Sequence, residues 1–202
     1  NAAAVCHRGR VIHTYRKNRL PNYGPFDENR YFECGGIEDA TVEIAGVSCG
    51  VTICEDIWDA NGPVLKQATA GAVVNLNINA SPYHKGKWRE REAMLVERAK
   101  DAKCAIVYVN QVGGQDELVF DGSSTVIDRE GNVVTRGLQH AEDFLVVDFD
   151  PDTGKITADS ESSTRDRLDP IAEVYHALVL GTRDYVRKNG FTDVVIGLSG
   201  GI

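Results

Sequence analysis

The sequence predicts an α/β fold on three observations: apolar, β-branched runs of strand length, helical-period segments set between them, and turn residues at the junctions. The strand-like runs are clearest at 47–53 (Val-Ser-Cys-Gly-Val-Thr-Ile), 72–78 and 104–110, and a helical segment at 86–103 separates the last two. The sum is an α/β layered domain with hairpins.

Taken in order, residues 2–6 read as a strand, Arg8-Gly9 as a turn and residues 10–15 as a second strand. A loop bearing Pro21, Gly24 and Pro25 follows. A strand is expected over 41–53, then a helix over 59–70 with Pro63 in its first turn, where a missing N–H is tolerated. After the 72–78 strand comes the 86–103 helix, with Ala93, Leu95, Val96 and Ala99 spaced along one side. Strands are expected at 104–110, 123–128, 132–136 and 144–149, the 123–128 and 132–136 pair closed by Asp128-Arg129-Glu130-Gly131-Asn132. Asp150-Pro151-Asp152-Thr153-Gly154 and the polar run 159–169 read as an arm or linker. An amphipathic helix over 170–189, capped by Gly190, leads to a final strand at 193–198. A domain boundary is expected near residue 160, dividing the chain into 1–160 and 161–202. Because a strand starts beside residue 1 and Ser199-Gly200-Gly201 precedes no helix, the chain reads as an internal segment of a longer protein.

Hydrophobic residues at 42% and charged residues at 26% are the balance of a folded globular chain, which excludes disordered and collagen-like classes. A net charge of −8 with no basic stripe excludes broad polyanion binding, so nucleic acid is not an expected partner. No apolar run approaches bilayer length and no signal-peptide pattern is read, so no membrane role and a cytoplasmic address are expected. Five cysteines without C-x-x-C spacing suggest neither a disulfide framework nor zinc; most are expected to be small buried hydrophobes. Asp116 and Glu117 lack histidine partners, and no metal site is expected.

Cys54 is the exception. It ends an apolar strand and is followed at once by Glu55-Asp56-Ile57-Trp58, so the thiol is presented at a strand terminus where backbone N–H groups can face a carbonyl. A thiol attacks as thiolate, and a nearby cation favours that form. The candidate cation is Lys17, at the end of a basic strand that enters the Pro- and Gly-bearing loop.

Lys17 with Leu20-Pro21-Asn22-Tyr23 and Phe26-Asp27-Glu28-Asn29-Arg30-Tyr31-Phe32, then Cys54-Glu55-Asp56-Ile57-Trp58, then Asn79-Ala80-Ser81-Pro82-Tyr83, resembles the nitrilase (carbon–nitrogen hydrolase) superfamily. With Gly113-Gly114-Gln115-Asp116-Glu117-Leu118-Val119-Phe120-Asp121-Gly122-Ser123-Ser124 the set is similar to the glutaminase domain of glutamine-dependent NAD+ synthetases. Gly197-Leu198-Ser199-Gly200-Gly201-Ile202 resembles the start of the ATP loop of their second domain. The resemblance implies a nitrilase-like α-β-β-α sandwich followed by the first helix and strand of a Rossmann-like ATP-pyrophosphatase domain.

It also implies roles. Cys54 would be the nucleophile and Lys17 the triad lysine of a Glu–Lys–Cys centre. Tyr23, Glu55, Ser81 and Lys87 would hold L-glutamine, Glu55 suiting its α-ammonium group, since a carboxylate and a cation together read a zwitterion. Gly197, Leu198, Ser199, Gly200 and Gly201 would be a partial ATP loop. The implied reaction releases ammonia from glutamine through a thioester and uses ATP and Mg2+ to amidate deamido-NAD+ to NAD+, in a homo-oligomer, with no cofactor for the glutaminase part. The triad glutamate is expected before Asn1, with Glu28 supporting the site, so this segment alone is expected to be nearly inactive. A stand-alone nitrilase-type amidase on another small amide, or a non-catalytic truncated module, are the alternatives. His84 is expected to be structural or solvated, Trp58 and Trp88 to pack, and the charges of 85–92 to form mostly a wet helix face, with Lys87 the exception.

Overall fold

A computed structural model describes residues 1–36, 41–162, 164–198 and 200 of the chain. The chain opens with an antiparallel hairpin, β1 (Ala2–His7) and β2 (Arg10–Arg16), whose turn at Arg8-Gly9 takes left-handed φ at both residues, +49° and +73°. The long loop then leads to β3 (Val42–Ile44) and β4 (Val47–Ile53), two strands where one was expected over 41–53, because Ala45 and Gly46 adopt positive φ and turn the chain back on itself. Helix α1 (Pro63–Thr69) carries Pro63 in its first turn, as expected; β5 (Val74–Asn79), α2 (Lys87–Ala102) and β6 (Ala105–Asn110) follow close to their expected positions.

Strands β4, β5 and β6 are parallel neighbours, and β3 flanks them antiparallel to β4. On the other side β9 (Thr125–Ile127) and β10 (Val133–Arg136) complete a six-stranded sheet in the order β10-β9-β6-β5-β4-β3. The turn between β9 and β10 closes as expected, the Asp128 N–H donating to the Asn132 carbonyl at 2.9 Å. Period-two alternation assigns the faces. Ile106 and Tyr108 join Ile57, Val64, Met94, Leu95 and Ala99 under α1 and α2. Cys49, Val74, Ala105 and Val126 point the other way, against Ile156 and Phe149 of the small hairpin β11 (Val147–Asp150) and β12 (Lys155–Ala158). On that same side, Tyr15 of β2 packs on Val51 and Ile53, which docks the first hairpin beside the C-terminal end of β4.

Helix α3 (Pro170–Lys188) starts on an Asp169 cap whose carboxylate accepts from the Ile171 and Ala172 N–H groups. It lies against β7 (Val112–Gln115) and β8 (Leu118–Asp121), a hairpin the sequence reading did not anticipate. The approach is close: a Cβ on Gly114 would meet Gly181 Cα of α3 at 2.9 Å. The strand expected at 193–198 is absent. Those residues carry neither strand nor helix and are exposed, Val195 at 99%, because no neighbouring strand is present among the described residues to pair with them. Ser199 and Gly201 of the expected ATP loop lie outside the described residues.

Candidate active site

The end of β4 delivers Cys54 into a 3-10 turn, Cys54–Ile57, with φ +46° at the cysteine. A non-glycine residue in the left-handed region is held there by its surroundings, and such strain gathers at functional turns. The residue that holds it is Asp56. Its carboxylate is fully buried and accepts four hydrogen bonds: from the Ile53 N–H at 2.9 Å and the Tyr15 hydroxyl at 2.8 Å on one oxygen, and from the Asn18 and Arg19 N–H groups at 3.1 and 2.7 Å on the other. One side chain therefore ties the cysteine turn to the chain just after Lys17. Burial raises the pKa of Asp56, and the N–H donors oppose that by stabilising the carboxylate. Buried beneath it, burial and then Asp56 hold the Tyr15 phenol protonated far above its usual range. Sequence reasoning missed Asp56; the only signal was an acid directly after an apolar strand.

Lys17 is 2% exposed, and its ammonium contacts Glu28 Oε1 at 2.6 Å. Its backbone is pinned on both sides, its N–H donating to the Asn1 carbonyl at 3.0 Å and its carbonyl accepting from Gly35 at 2.9 Å. Lys17, Glu28 and Cys54 line one open cavity of about 300 Å3 together with Phe26, Ile53 and Ala80. Burial pushes the Cys54 thiol pKa up; the Lys17 ammonium and the Ala80 N–H pull it down, while Glu55 and Glu28 add to the rise. The net direction is upward, so the resting form is the thiol.

Cys54 also opens on a second cavity of about 330 Å3, which Tyr23, Glu55, Ser81 and Lys87 line together with Trp58 and Leu118. Five of the six residues expected to hold or attack glutamine thus meet at one cavity, and the sixth, Lys17, lies on its neighbour. The Tyr23 hydroxyl donates to Glu55 Oε2 at 2.8 Å; burial, then Glu55, pushes the phenol up to about 12. Ser81 is buried, with its N–H on Asn110 Oδ1 at 3.0 Å. The Lys87 ammonium lies 4.4 Å from the centre of the Trp58 ring and 3.1 Å from Glu90. Trp58 is therefore a cavity wall as well as a packing residue, which differs from its expected role. His84, expected to be structural or solvated, is exposed at the rim.

Two further expectations change. The 85–92 charges are not all wet: Arg91 is 2% exposed and forms a two-point pair with the buried Asp121, at 3.2 and 3.0 Å, and Glu92 clasps Arg136 and Arg167. Helical spacing places Arg91 on the core side of α2 with Met94, Leu95, Arg98 and Ala99, which a reading by charge alone passes over. Among the cysteines, Cys49 and Cys104 are buried as expected, whereas Cys6 and Cys34 are exposed. No helix is long and apolar enough to cross a membrane among the described residues.

Comparison with known proteins extends this geometry. The sequence profile of the family described as carbon-nitrogen hydrolase matches residues 1–158. Glutamine-dependent NAD(+) synthetases of Aquifex aeolicus and Xanthomonas campestris are 43% and 45% identical to the chain over its whole length, which covers 40% and 36% of theirs. The chain thus spans about two fifths of the length of these relatives. The structure of an Acinetobacter baumannii glutamine-dependent NAD+ synthetase, in complex with adenosine diphosphate, superposes with a TM-score of 0.92 at 43% identity, over all of this chain and 37% of that one. An amidase from Nesterenkonia, with acrylamide added at its active site cysteine, matches 64% of the chain and 49% of its own, at 26% identity and a TM-score of 0.57. The profile match covers the hairpin, the sheet and the loops that converge on Cys54, and on it the chain belongs to the carbon-nitrogen hydrolase family.

Proposed function

We propose that this chain is the glutamine-hydrolysing part of a glutamine-dependent NAD+ synthetase. The observation that carries the reading is the position of Cys54: one side of it faces a buried lysine, and the other faces a cavity whose walls offer a carboxylate and an ammonium. The relatives' names supply the substrate, and the fit of a small zwitterionic amide to Glu55 and Lys87 supports it.

On this reading glutamine enters the larger cavity with its α-ammonium group toward Glu55 and its α-carboxylate toward Lys87. That leaves the side-chain amide at Cys54. The thiol gives up its proton, sulfur attacks the amide carbon, and the oxyanion is met by the Lys17 ammonium and the N–H following Cys54. Collapse, with the thiol's proton passed on to the amide nitrogen, expels ammonia and leaves a γ-glutamyl thioester, which water cleaves to glutamate and the free thiol. Glu28 sits in contact with the Lys17 ammonium, so we assign it to hold that cation rather than to accept the thiol proton. The acceptor is assigned to a triad glutamate lying before Asn1.

For the whole protein we propose that the ammonia amidates deamido-NAD+ in a reaction driven by ATP and Mg2+, in a second domain beginning near residue 160. Residues 193–198, the described part leading into the expected ATP loop, are exposed. A stand-alone amidase is the weaker reading. The synthetase relatives match the full chain, 161–202 included, whereas the Nesterenkonia amidase matches 64% of it.

In the whole protein, Cys54→Ala is expected to abolish ammonia release from glutamine while NAD+ formation from added ammonia continues. Retained glutamine turnover in that variant rejects Cys54 as the nucleophile.

A further inference from the structure

Residues 81–87 carry two of the groups assigned to glutamine, Ser81 and Lys87; Lys87 donates its backbone N–H within the segment, to the His84 carbonyl at 2.9 Å, and three more N–H groups are pinned from outside it. Ser81 donates to Asn110 Oδ1 at 3.0 Å and Tyr83 to the Val119 carbonyl at 2.7 Å, both on the strand framework. The third pin has another origin. Gly86 donates at 3.1 Å to Glu173 Oε1, on helix α3, 87 residues further along the chain.

Glu173 is 1% exposed, an unusual place for a carboxylate, and it has no ion-pair partner among the described residues. It sits beside Tyr83, whose phenol is pushed up to about 12 by burial and then by the Glu173 charge. Gly86 is the residue it fixes through the N–H, and the Gly86 carbonyl accepts from the Arg89 N–H at 3.0 Å. Its φ of +80° is one that glycine reaches freely, and it stands immediately before Lys87, the first residue of α2. The Lys87 ammonium is braced at its far end by Trp58 and Glu90, while its backbone follows directly on Gly86 and donates its N–H to the His84 carbonyl at 2.9 Å. Helix α3 is itself held at its other end: Asp184 accepts from the Gly114 N–H at 2.8 Å, and the Lys188 ammonium donates to the Gly114 carbonyl at 2.5 Å. Glu173 is thus presented from a fixed support.

We propose that Glu173 is a positioning residue of the glutamine cavity, whose buried carboxylate fixes Gly86 and through it sets Lys87 where a substrate α-carboxylate is received; this rests on the glutamine reading above. Glu173 touches no reacting atom. Its effect is on recognition of the amino-acid head and not on the reactivity of the sulfur, which separates it from a residue that only docks α3.

The test compares two reagents on Cys54 in the whole protein, with labelling followed by mass spectrometry. One is a diazo-ketone analogue of glutamine that carries the α-amino and α-carboxyl groups; the other is iodoacetamide, which carries neither. Glu173→Ala is expected to slow the analogue about tenfold and iodoacetamide by no more than about twofold, the size of one lost charge-assisted hydrogen bond at the recognition wall. Glu173→Gln, whose amide oxygen can still accept from Gly86, is expected to restore the analogue rate to within about twofold of wild type. If Glu173→Ala does not fold, Glu173→Asp, which withdraws the carboxylate by one methylene, is expected to show the same selective loss. Equal slowing of both reagents, no slowing of either, or failure of Glu173→Gln to restore the rate overturns the proposal. A wild-type protein that reacts no faster with the analogue than with iodoacetamide overturns the glutamine reading itself, and the proposal with it.

Discussion

At Cys54 two physical demands compete: burial disfavours the thiolate, and the Lys17 ammonium favours it. Burial wins in the resting site, which has a measurable consequence. Alkylation tracks the thiolate fraction, so the pH profile of iodoacetamide labelling at Cys54 is expected to rise at a pH above that of an ordinary cysteine. Lys17→Met removes the cation that opposes burial, so it is expected to move the profile further up. A wild-type profile at or below the ordinary position, or a downward shift in Lys17→Met, contradicts this electrostatic picture. Asp56 provides the second test at this scale. Replacing it with Ala strands the Ile53, Asn18 and Arg19 N–H groups and the Tyr15 hydroxyl together. The expected loss is about 3–5 kcal/mol in urea unfolding, larger than for Asp56→Asn, which keeps an acceptor. Cys54 and Lys17 were legible because a thiol at a strand end and a lysine before a rigid loop occupy marked positions. Asp56 was not, because its importance lies in four partners, three of them 37 to 41 residues away, and spacing along the chain does not encode them.

The elements that present the site are βα units whose helices cover one face of the sheet. Under α1 that face is polar: Thr52, Asn75, Asn77 and Gln67 are buried and hydrogen-bonded to one another, and Gln67 also donates to the Val51 carbonyl at 2.8 Å. Gly50 leaves room for this network, since a Cβ there would lie 2.4 Å from Gln67 Oε1 and 2.9 Å from Asn75 Nδ2. Gly50→Ala is therefore expected to lower stability by about 1–3 kcal/mol, read from the urea midpoint, by prising α1 from β4. An unchanged midpoint contradicts the close fit. The central strands and α2 were legible because each is an unbroken periodic run. The hairpin β7-β8 was not: Gly113-Gly114-Gln115 has no alternation, and what makes it a strand is pairing with β8 and the approach of α3. The split of the 41–53 run into β3 and β4 likewise depended on two residues entering the left-handed region, which apolar content conceals.

Across the whole molecule, separate pieces of chain converge on the C-terminal ends of β4 and β5. The first hairpin and its loop bring Lys17, Tyr23 and Glu28, the end of β4 brings Cys54 and Glu55, and the segment after β5 brings Ser81 and Lys87. Helix α3 lies behind that last segment, and its outer side leaves Ile171, Tyr175 and Leu178 exposed. The convergence was foreseen through the ordered set of motifs, since no single motif fixes where three distant loops meet. The final strand was misjudged for a whole-molecule reason: β-branched residues at 194–196 favour a strand, yet a strand forms only beside a partner. The central claim is that the sulfur of Cys54 attacks a glutamine held in the adjoining cavity. The most direct measurement is mass spectrometry of the whole protein after reaction with the diazo-ketone glutamine analogue, with and without excess glutamine. The claim predicts a single label on the Cys54 peptide that glutamine suppresses; a label on another residue, or labelling of Cys54 that glutamine does not slow, contradicts it.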